Sequence, residues 1–338
     1  MTPICYNSPV RLCVYKDSLS VGRGADKAVK NFAAAMSARG HEVRLVERGG
    51  LAAALGEKWD AFVATGSNEA VDLDRAGYFE RTGRAPVVLQ LHLAPHGFFK
   101  WKHPFRNRAI RKAFDKFDAV QVLCHDYESE FKGLAPHPAV VTIGNYTEIE
   151  PVPRREEKLV LCPAAVVNRV KNQSLLIRAF AAVAADFPDW RVRLLGRTDT
   201  PVADSCRRLA CRLGVDGSVE FAGLADDMAA EYARAAFVAF PSTLEGFPLA
   251  VLEAAKFSLP VVAQKKLPGV RDMVLDGETG LVSAPTAEAY SSALARLMSD
   301  GGLRAKMGEK AHAYCEERYS RKSVLSEWEQ LLAHVAGE

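Results

Sequence analysis

Two glutamates, Glu245 and Glu253, stand eight positions apart in the stretch STLEGFPLAVLEAA, residues 242–255. Between them lie Gly246, Phe247, Pro248 and Leu249, which read as a turn and a helix start. Proline suits the first turn of a helix, where its missing N–H would be unpaired in any case. Gly246 lets the backbone pass close to a ligand. The N–H groups of Leu249 and Ala250 are expected to point outward with the helix dipole behind them, a site for phosphate. A carboxylate beside a phosphate is unfavourable unless it binds something specific, and carboxylates accept hydrogen bonds from sugar hydroxyls. Glu253 falls about 7 Å along the helix at 1.5 Å per residue. Glu245 lies ahead of the helix, across the expected phosphate. A helix cap flanked by two surface glutamates fits the same spacing.

Other residues carry related chemistry. Lys171 precedes a helix that starts near Asn172. A cation is unfavourable at a helix N-terminus unless an anion such as a diphosphate lies between; a solvated lysine is the simpler reading. Arg169, two residues earlier, adds charge. Gly22 and Gly24 sit in SVGRGAD, a loop that resembles a phosphate cradle but lacks the full G-x-G-x-x-G spacing. A turn that packs helix on sheet is the alternative there. His92 ends the apolar run LQLH, where a strand meets its crevice, and serves equally as a structural histidine. Residues 98–116 hold seven Lys/Arg, one Asp and the aromatics Phe98, Phe99, Trp101 and Phe105. That mixture suits an anionic membrane surface at about 1 kcal/mol per basic residue, single-stranded nucleic acid, or a solvated helix face.

These groups need elements to hold them. Short apolar runs, RLCVYK (11–16), HEVRLVE (41–47), WDAFVATG (59–66), APVVLQLH (85–92), FDAVQVLCH (117–125) and AVVTIGN (139–145), alternate with helical or loop segments. The stretch 151–158 breaks the pattern with prolines and charges and reads as a linker. A second alternation follows: LVLCPAA (159–165), a helix over 172–187, WRVRLLG (190–196), VEFAG (219–223), AFVAFPS (236–242), PVVAQ (260–264) and GLVS (280–283). The fold class is therefore α/β, with two doubly wound Rossmann-like domains over 1–150 and 159–318 facing across a cleft. Residues 319–338 form a C-terminal helix expected to pack back on the first domain.

Composition narrows the function. At 338 residues, 49% of them hydrophobic, the chain can bury two cores, and its net charge of +3 is too small for a dedicated nucleic-acid binder. The seven cysteines form no CxxC pair, and several sit in apolar runs, which fits reduced thiols in a cytosolic compartment. Cys206 and Cys211 have no histidine neighbour, so no metal site is expected there. No signal peptide and no membrane span are expected, as no run of 18 apolar residues occurs.

Taken in order, the glycine loop, the strand-end histidine, the Lys-Asn at the second domain's first helix and Glu-x7-Glu around Gly-Phe-Pro resemble the retaining glycosyltransferases of family four, which have the GT-B fold. The likeness covers nearly the whole chain and is strongest over 159–284, including PGVRDMVLDGETGLV (268–282). It implies an acceptor-binding first domain and a second domain that binds a nucleotide-sugar donor, with UDP favoured over GDP or ADP. It places Lys171 on the diphosphate, Glu245 at the donor sugar and Glu253 on the ribose hydroxyls. Phe247, Pro248 and Leu249 would line the sugar and its phosphates, with Gly196, Arg197, Gly223 and Leu224 near the base. Gly22 and Gly24 would approach the donor phosphate or the acceptor, and His92 the transferred sugar. The family's Gly-Arg pair, five residues ahead of the lysine, is Ala165-Val166 here. Half of the cationic clamp is missing, and Arg169 is the residue at hand to replace it.

The function expected is transfer of a hexosyl group to a hydroxyl of a glycan or lipid-linked acceptor, with retention and without a metal or other cofactor. The expected location is cytoplasmic, peripheral on the inner membrane face through residues 98–116. A sugar-nucleotide epimerase and a non-catalytic nucleotide-sugar binder are the alternatives; nucleic acid is not an expected partner, because it leaves the second domain unexplained.

Overall fold

The computed structural model describes residues 9–19, 24–92, 94–95, 104–134, 137 and 139–337. Contacts divide the chain into two units, residues 1–145 with 321–338, and residues 146–320.

In the first unit, β1 (Arg11–Tyr15), β2 (Glu42–Val46), β3 (Ala61–Ala64), β4 (Val87–Gln90), β5 (Ala119–Val122) and β6 (Val140–Thr142) form one parallel sheet in the order β2-β1-β3-β4-β5-β6. Its helices are α1 (Gly24–Ala38), α2 (Leu51–Ala54), α3 (Ser67–Arg75), α4 (Pro104–Phe114) and α5 (His125–Leu134). Strands β3, β4 and β5 are buried at every position, as a parallel sheet covered on both faces requires. The edge strand β2 alternates instead between exposed and partly buried residues.

In the second unit, β7 (Leu159–Pro163), β8 (Arg191–Leu195), β9 (Val219–Gly223), β10 (Phe237–Phe240), β11 (Val261–Gln264) and β12 (Gly280–Ser283) form a second parallel sheet, ordered β12-β11-β10-β7-β8-β9. Its helices are α6 (Gln173–Ala181), α7 (Pro201–Arg212), α8 (Met228–Arg234), α9 (Leu249–Lys256), α10 (Val270–Met273), α11 (Ala287–Ser299) and α12 (Gly301–Tyr319). The last helix, α13 (Arg321–Ala336), belongs to the first unit. There Trp328 meets Phe32 of α1 at 4.7 Å between ring centres. Arg39 holds Glu329 through two hydrogen bonds of 2.6 Å.

The boundary falls at Asn145, ahead of the expected linker 151–158. That stretch is bonded into the second unit: the amides of Arg155 and Glu157 donate to Ala233 O and Arg234 O, each at 2.8 Å, and Arg154 donates to Ala235 O at 2.9 Å. These carbonyls belong to the end of α8 and its C-cap residue Ala235, where helix carbonyls lack partners of their own. An aperiodic, charged sequence here marks a helix-capping strap.

Chain order turns back on itself once in each sheet. In the second unit β7 leads to β8 and β9 on one side, and β10 leads to β11 and β12 on the other. The carboxyl ends of β7 and β10 therefore flank a topological switch point, where doubly wound sheets bind ligands.

Candidate functional site

Both loops that leave this switch point carry a candidate residue. After β7, the chain makes a 3-10 turn over Arg169–Lys171, with Asn168 Oδ1 accepting from the Lys171 amide at 3.3 Å. Asn172 then adopts the left-handed conformation, φ +52°, before α6 begins. After β10, Thr243 ties its loop to that turn: its amide and its hydroxyl both donate to Val170 O, at 2.7 and 3.1 Å. The cross-loop link sets Lys171 against Glu245. Lys171 Nζ donates to both carboxylate oxygens at 2.7 Å. The two side chains are 23% and 13% exposed, so the pair is shielded yet open on one side.

The opposite end of the motif is held from below. Tyr232, fully buried, donates from its hydroxyl to Glu253 Oε2 at 2.7 Å. Burial and the neighbouring carboxylate push the Tyr232 phenol well above its ordinary pKa, so it stays a donor. Gly246 and Phe247 lie in the turn between the glutamates, and the Phe247 ring packs edge-on against Tyr319 at 5.9 Å. Pro248 takes the cap position of α9. Contrary to the expectation from sequence, the Leu249 amide does not point outward. It donates to Phe247 O at 2.9 Å, because Pro248 folds the turn tightly enough to supply an acceptor locally.

A second group forms where β8 and β9 end. Gly196 has φ +105°, and its amide donates to Gly223 O at 2.7 Å. A Cβ on Gly196 would lie 2.7 Å from Ala165 Cα, so only glycine allows β8 to pass the β7 loop this closely. The Val166 amide donates to Arg197 O at 2.8 Å, which joins the two loops. Leu224 is 80% exposed and Leu249 also lies exposed. Arg197 is exposed and paired with Asp199.

Val166 is fully buried, so the position of the expected arginine is apolar core. Arg169 lines a recess between α6 and α7 that neither Lys171 nor Glu245 lines.

In the first unit, Gly22 lies outside the described residues, and Gly24 is the first residue of α1. His92 follows β4; its Nε2 is enclosed and has no hydrogen-bond partner among the described residues. Burial, with Lys16 adding its charge, lowers its pKa to about 4, so the ring is neutral at pH 7. Lys16, just past β1, donates to Asp17 and Glu69, both at 2.6 Å. Of the basic segment, residues 98–103 lie outside the described residues. Arg108, Arg111 and Lys112 are exposed on α4, but Lys116 is occupied by Asp74 and Glu80 within the same unit.

Tyr232, Thr243 and the Lys16–Glu69 pair carry no sequence signal, since each meets its partner through tertiary packing. Cys206 and Cys211 form no disulfide among the described residues. No cluster of three or more metal-ligating side chains occurs among the described residues.

A model of the family described as glycosyl transferases group 1 matches residues 146–314, half of the chain. The chain belongs to this family. Among curated relatives it is 37% identical over 180 residues to the exopolysaccharide phosphotransferase SCO2592 of Streptomyces coelicolor, a match covering 53% of this chain and 19% of that protein. It is 32% identical over 150 residues to the lipopolysaccharide core biosynthesis glycosyltransferase LpsE of Rhizobium meliloti, covering 44% and 43%. The chain thus spans 19% and 43% of the lengths of these two relatives. The solved structure of Anabaena Alr3699/HepE in complex with UDP superposes with a TM-score of 0.79 at 19% identity, covering 96% of this chain and all of that one. This likeness shows the fold, and two parallel six-stranded α/β units are its GT-B architecture. The family match contains Lys171, Glu245 and Glu253, and with them the whole switch point of the second sheet.

Proposed function

We propose that this member of the glycosyl transferases group 1 family is a retaining hexosyltransferase, using a nucleoside-diphosphate sugar, UDP-linked, and a hydroxyl of a glycan or lipid-linked acceptor. The observation that carries the proposal is the Lys171–Glu245 pair at the β7/β10 switch point. Departure of the diphosphate is the difficult step. Lys171 supplies positive charge to the leaving group in place of a metal, and preorganised charge of this kind commonly contributes more to catalysis than any other single effect. Glu245 holds the lysine in position and accepts from the donor sugar's hydroxyls. Glu253, fixed by Tyr232, keeps Oε1 for the ribose. Gly196, Gly223 and Leu224 receive the base, and Phe247, Pro248 and Leu249 line the sugar and phosphates beside Gly246. On the first unit, His92 is neutral at pH 7 and Gly24 opens α1. The acceptor attacks on the face the diphosphate leaves, and the leaving phosphate takes its proton.

A thermal-shift screen with UDP-, GDP- and ADP-sugars tests the donor, since a ligand selective for the folded state raises Tm by mass action. Label moving from UDP-[14C]glucose to an acceptor, with the α-anomer kept by NMR, supports transfer; label lost as free epimerised sugar nucleotide refutes it. The burial of Val166 where an arginine was expected favours a second reading, a nucleotide-sugar binder without turnover. Tight donor binding with no transfer over an acceptor panel would select it. We further propose that α4 docks on anionic membrane through Arg108, Arg111 and Lys112. No helix among the described residues is long and apolar enough to cross a membrane. Equal flotation with neutral and anionic vesicles would refute the docking.

A further inference from the structure

A recess of about 620 Å³ opens on the second unit between α6 and α7. That volume is typical of a small-molecule site. Three arginines line it: Arg169 in the turn before α6, Arg178 in the last turn of α6 and Arg212 in the last turn of α7. No Asp or Glu lines it, and none of the three arginines makes an ion pair among the described residues. Elsewhere on the unit Arg193, Arg234 and Arg304 are each held by a glutamate. Helix dipoles favour Arg178 and Arg212 at their C-terminal turns. They disfavour Arg169 ahead of α6 unless an anion sits between.

A second observation concerns a hydroxyl rather than an anion. Gln173, which also lines the recess, is 1% exposed. Its Nε2 donates to Ala164 O and Ala165 O at 2.9 and 3.2 Å, whereas its Oε1 has no partner among the described residues. A buried acceptor without a donor is costly, and a hydroxyl supplies one. Val202 and Leu209 add apolar wall.

We propose that this recess binds a small phosphate-bearing polyol, with the guanidiniums on the phosphate and Gln173 Oε1 accepting from a hydroxyl. Its occupancy is coupled to the donor site, because Arg169 and Lys171 belong to one 3-10 turn closed by the Asn168–Lys171 bond. A ligand that moves Arg169 shifts the poise of Lys171, and binding affinities at the two sites then change by the same factor. That coupling rests on the donor role proposed for Lys171, whereas binding in the recess does not.

Calorimetry on the full chain tests both parts, with ribose 5-phosphate, inorganic phosphate and ribose as separate titrants. Ribose 5-phosphate is expected to bind at least about tenfold tighter than either fragment. In the double variant Arg178→Ala/Arg212→Ala, at two exposed positions, that affinity falls at least about tenfold while UDP affinity in the absence of sugar phosphate stays unchanged. Circular dichroism confirms that the variant is folded. No binding, equal binding of inorganic phosphate, or an affinity kept in the double variant but lost in Lys171→Met would overturn the site. UDP affinity is then measured with and without saturating ribose 5-phosphate. A shift in the wild type that vanishes in the double variant supports the coupling, and equal affinities overturn it.

Discussion

Replacing Glu245 with glutamine removes the charge Lys171 faces while keeping the shape of the side chain. Two unit charges about 4 Å apart attract by roughly 1 kcal/mol in bulk water and about 4 kcal/mol at an effective dielectric near 20. The pair is shielded but not sealed, at 23% and 13% exposure, so desolvation cancels much of the larger figure. Glu245→Gln is expected to cost about 1–2 kcal/mol of stability. Lys171→Met, which strands a carboxylate, is expected to cost about 3 kcal/mol. The double variant should lose less than the sum, with a coupling of about 1–2 kcal/mol. Ligand binding must respond with opposite signs. If Lys171 grips the donor diphosphate as proposed, Glu245 neutralises that charge in the free protein, so Glu245→Gln should tighten UDP by about threefold to tenfold, whereas Lys171→Met weakens it by about tenfold or more. Transfer should nevertheless fall in both, by about 10² to 10³ for Lys171→Met. Urea unfolding gives the stabilities, and calorimetry with UDP gives the affinities. Zero coupling in the cycle, or UDP weakened equally by both variants, would refute the reasoning.

Other expectations follow from single contacts. A Cβ at Gly308 would overlap Ser258 O, closer than any real contact, so Gly308→Ala must displace α12. A cost of about 3 kcal/mol should lower Tm by about 6–12 °C in calorimetry; a change under about 2 °C would contradict the packing. Tyr232→Phe removes the donor that fixes Glu253, and should cost about 1–3 kcal/mol and weaken UDP several-fold. Wild-type values in both assays would detach Tyr232 from the site. His92 is held near 4, below its ordinary value of 6.5, so its contribution to stability is complete above pH 6.5 and is lost as pH falls toward 4. His92→Gln should flatten the stability–pH slope across that window, and an unchanged slope would show that another group carries it.

The alternation of apolar runs marked the strands closely, because a parallel sheet covered on both faces demands continuous burial, as in β3 and β10. Lys171, Glu245 and Glu253 stand out in the sequence, because their residue types conflict with bland roles at a helix start. Their direct pairing was not legible: it depends on Thr243 reaching Val170 across 73 positions. The Leu249 amide is not free, because a proline turn can satisfy the first helical amide from two residues back. The strap at 151–158 looked like a linker because its hydrogen bonds are to another helix's end rather than periodic. Burial of Val166, and the turn of Arg169 toward a separate recess, emerge only once β7, α6 and α7 are packed together.

The central claim is that Lys171 grips a donor diphosphate at the β7/β10 switch point. A co-crystal with UDP-glucose tests it most directly. Diphosphate oxygens about 3 Å from Lys171 Nζ, with the ribose on Glu253, are the predicted result. Nucleotide bound elsewhere, with the Lys171–Glu245 pair undisturbed and no ligand beside it, would contradict the account.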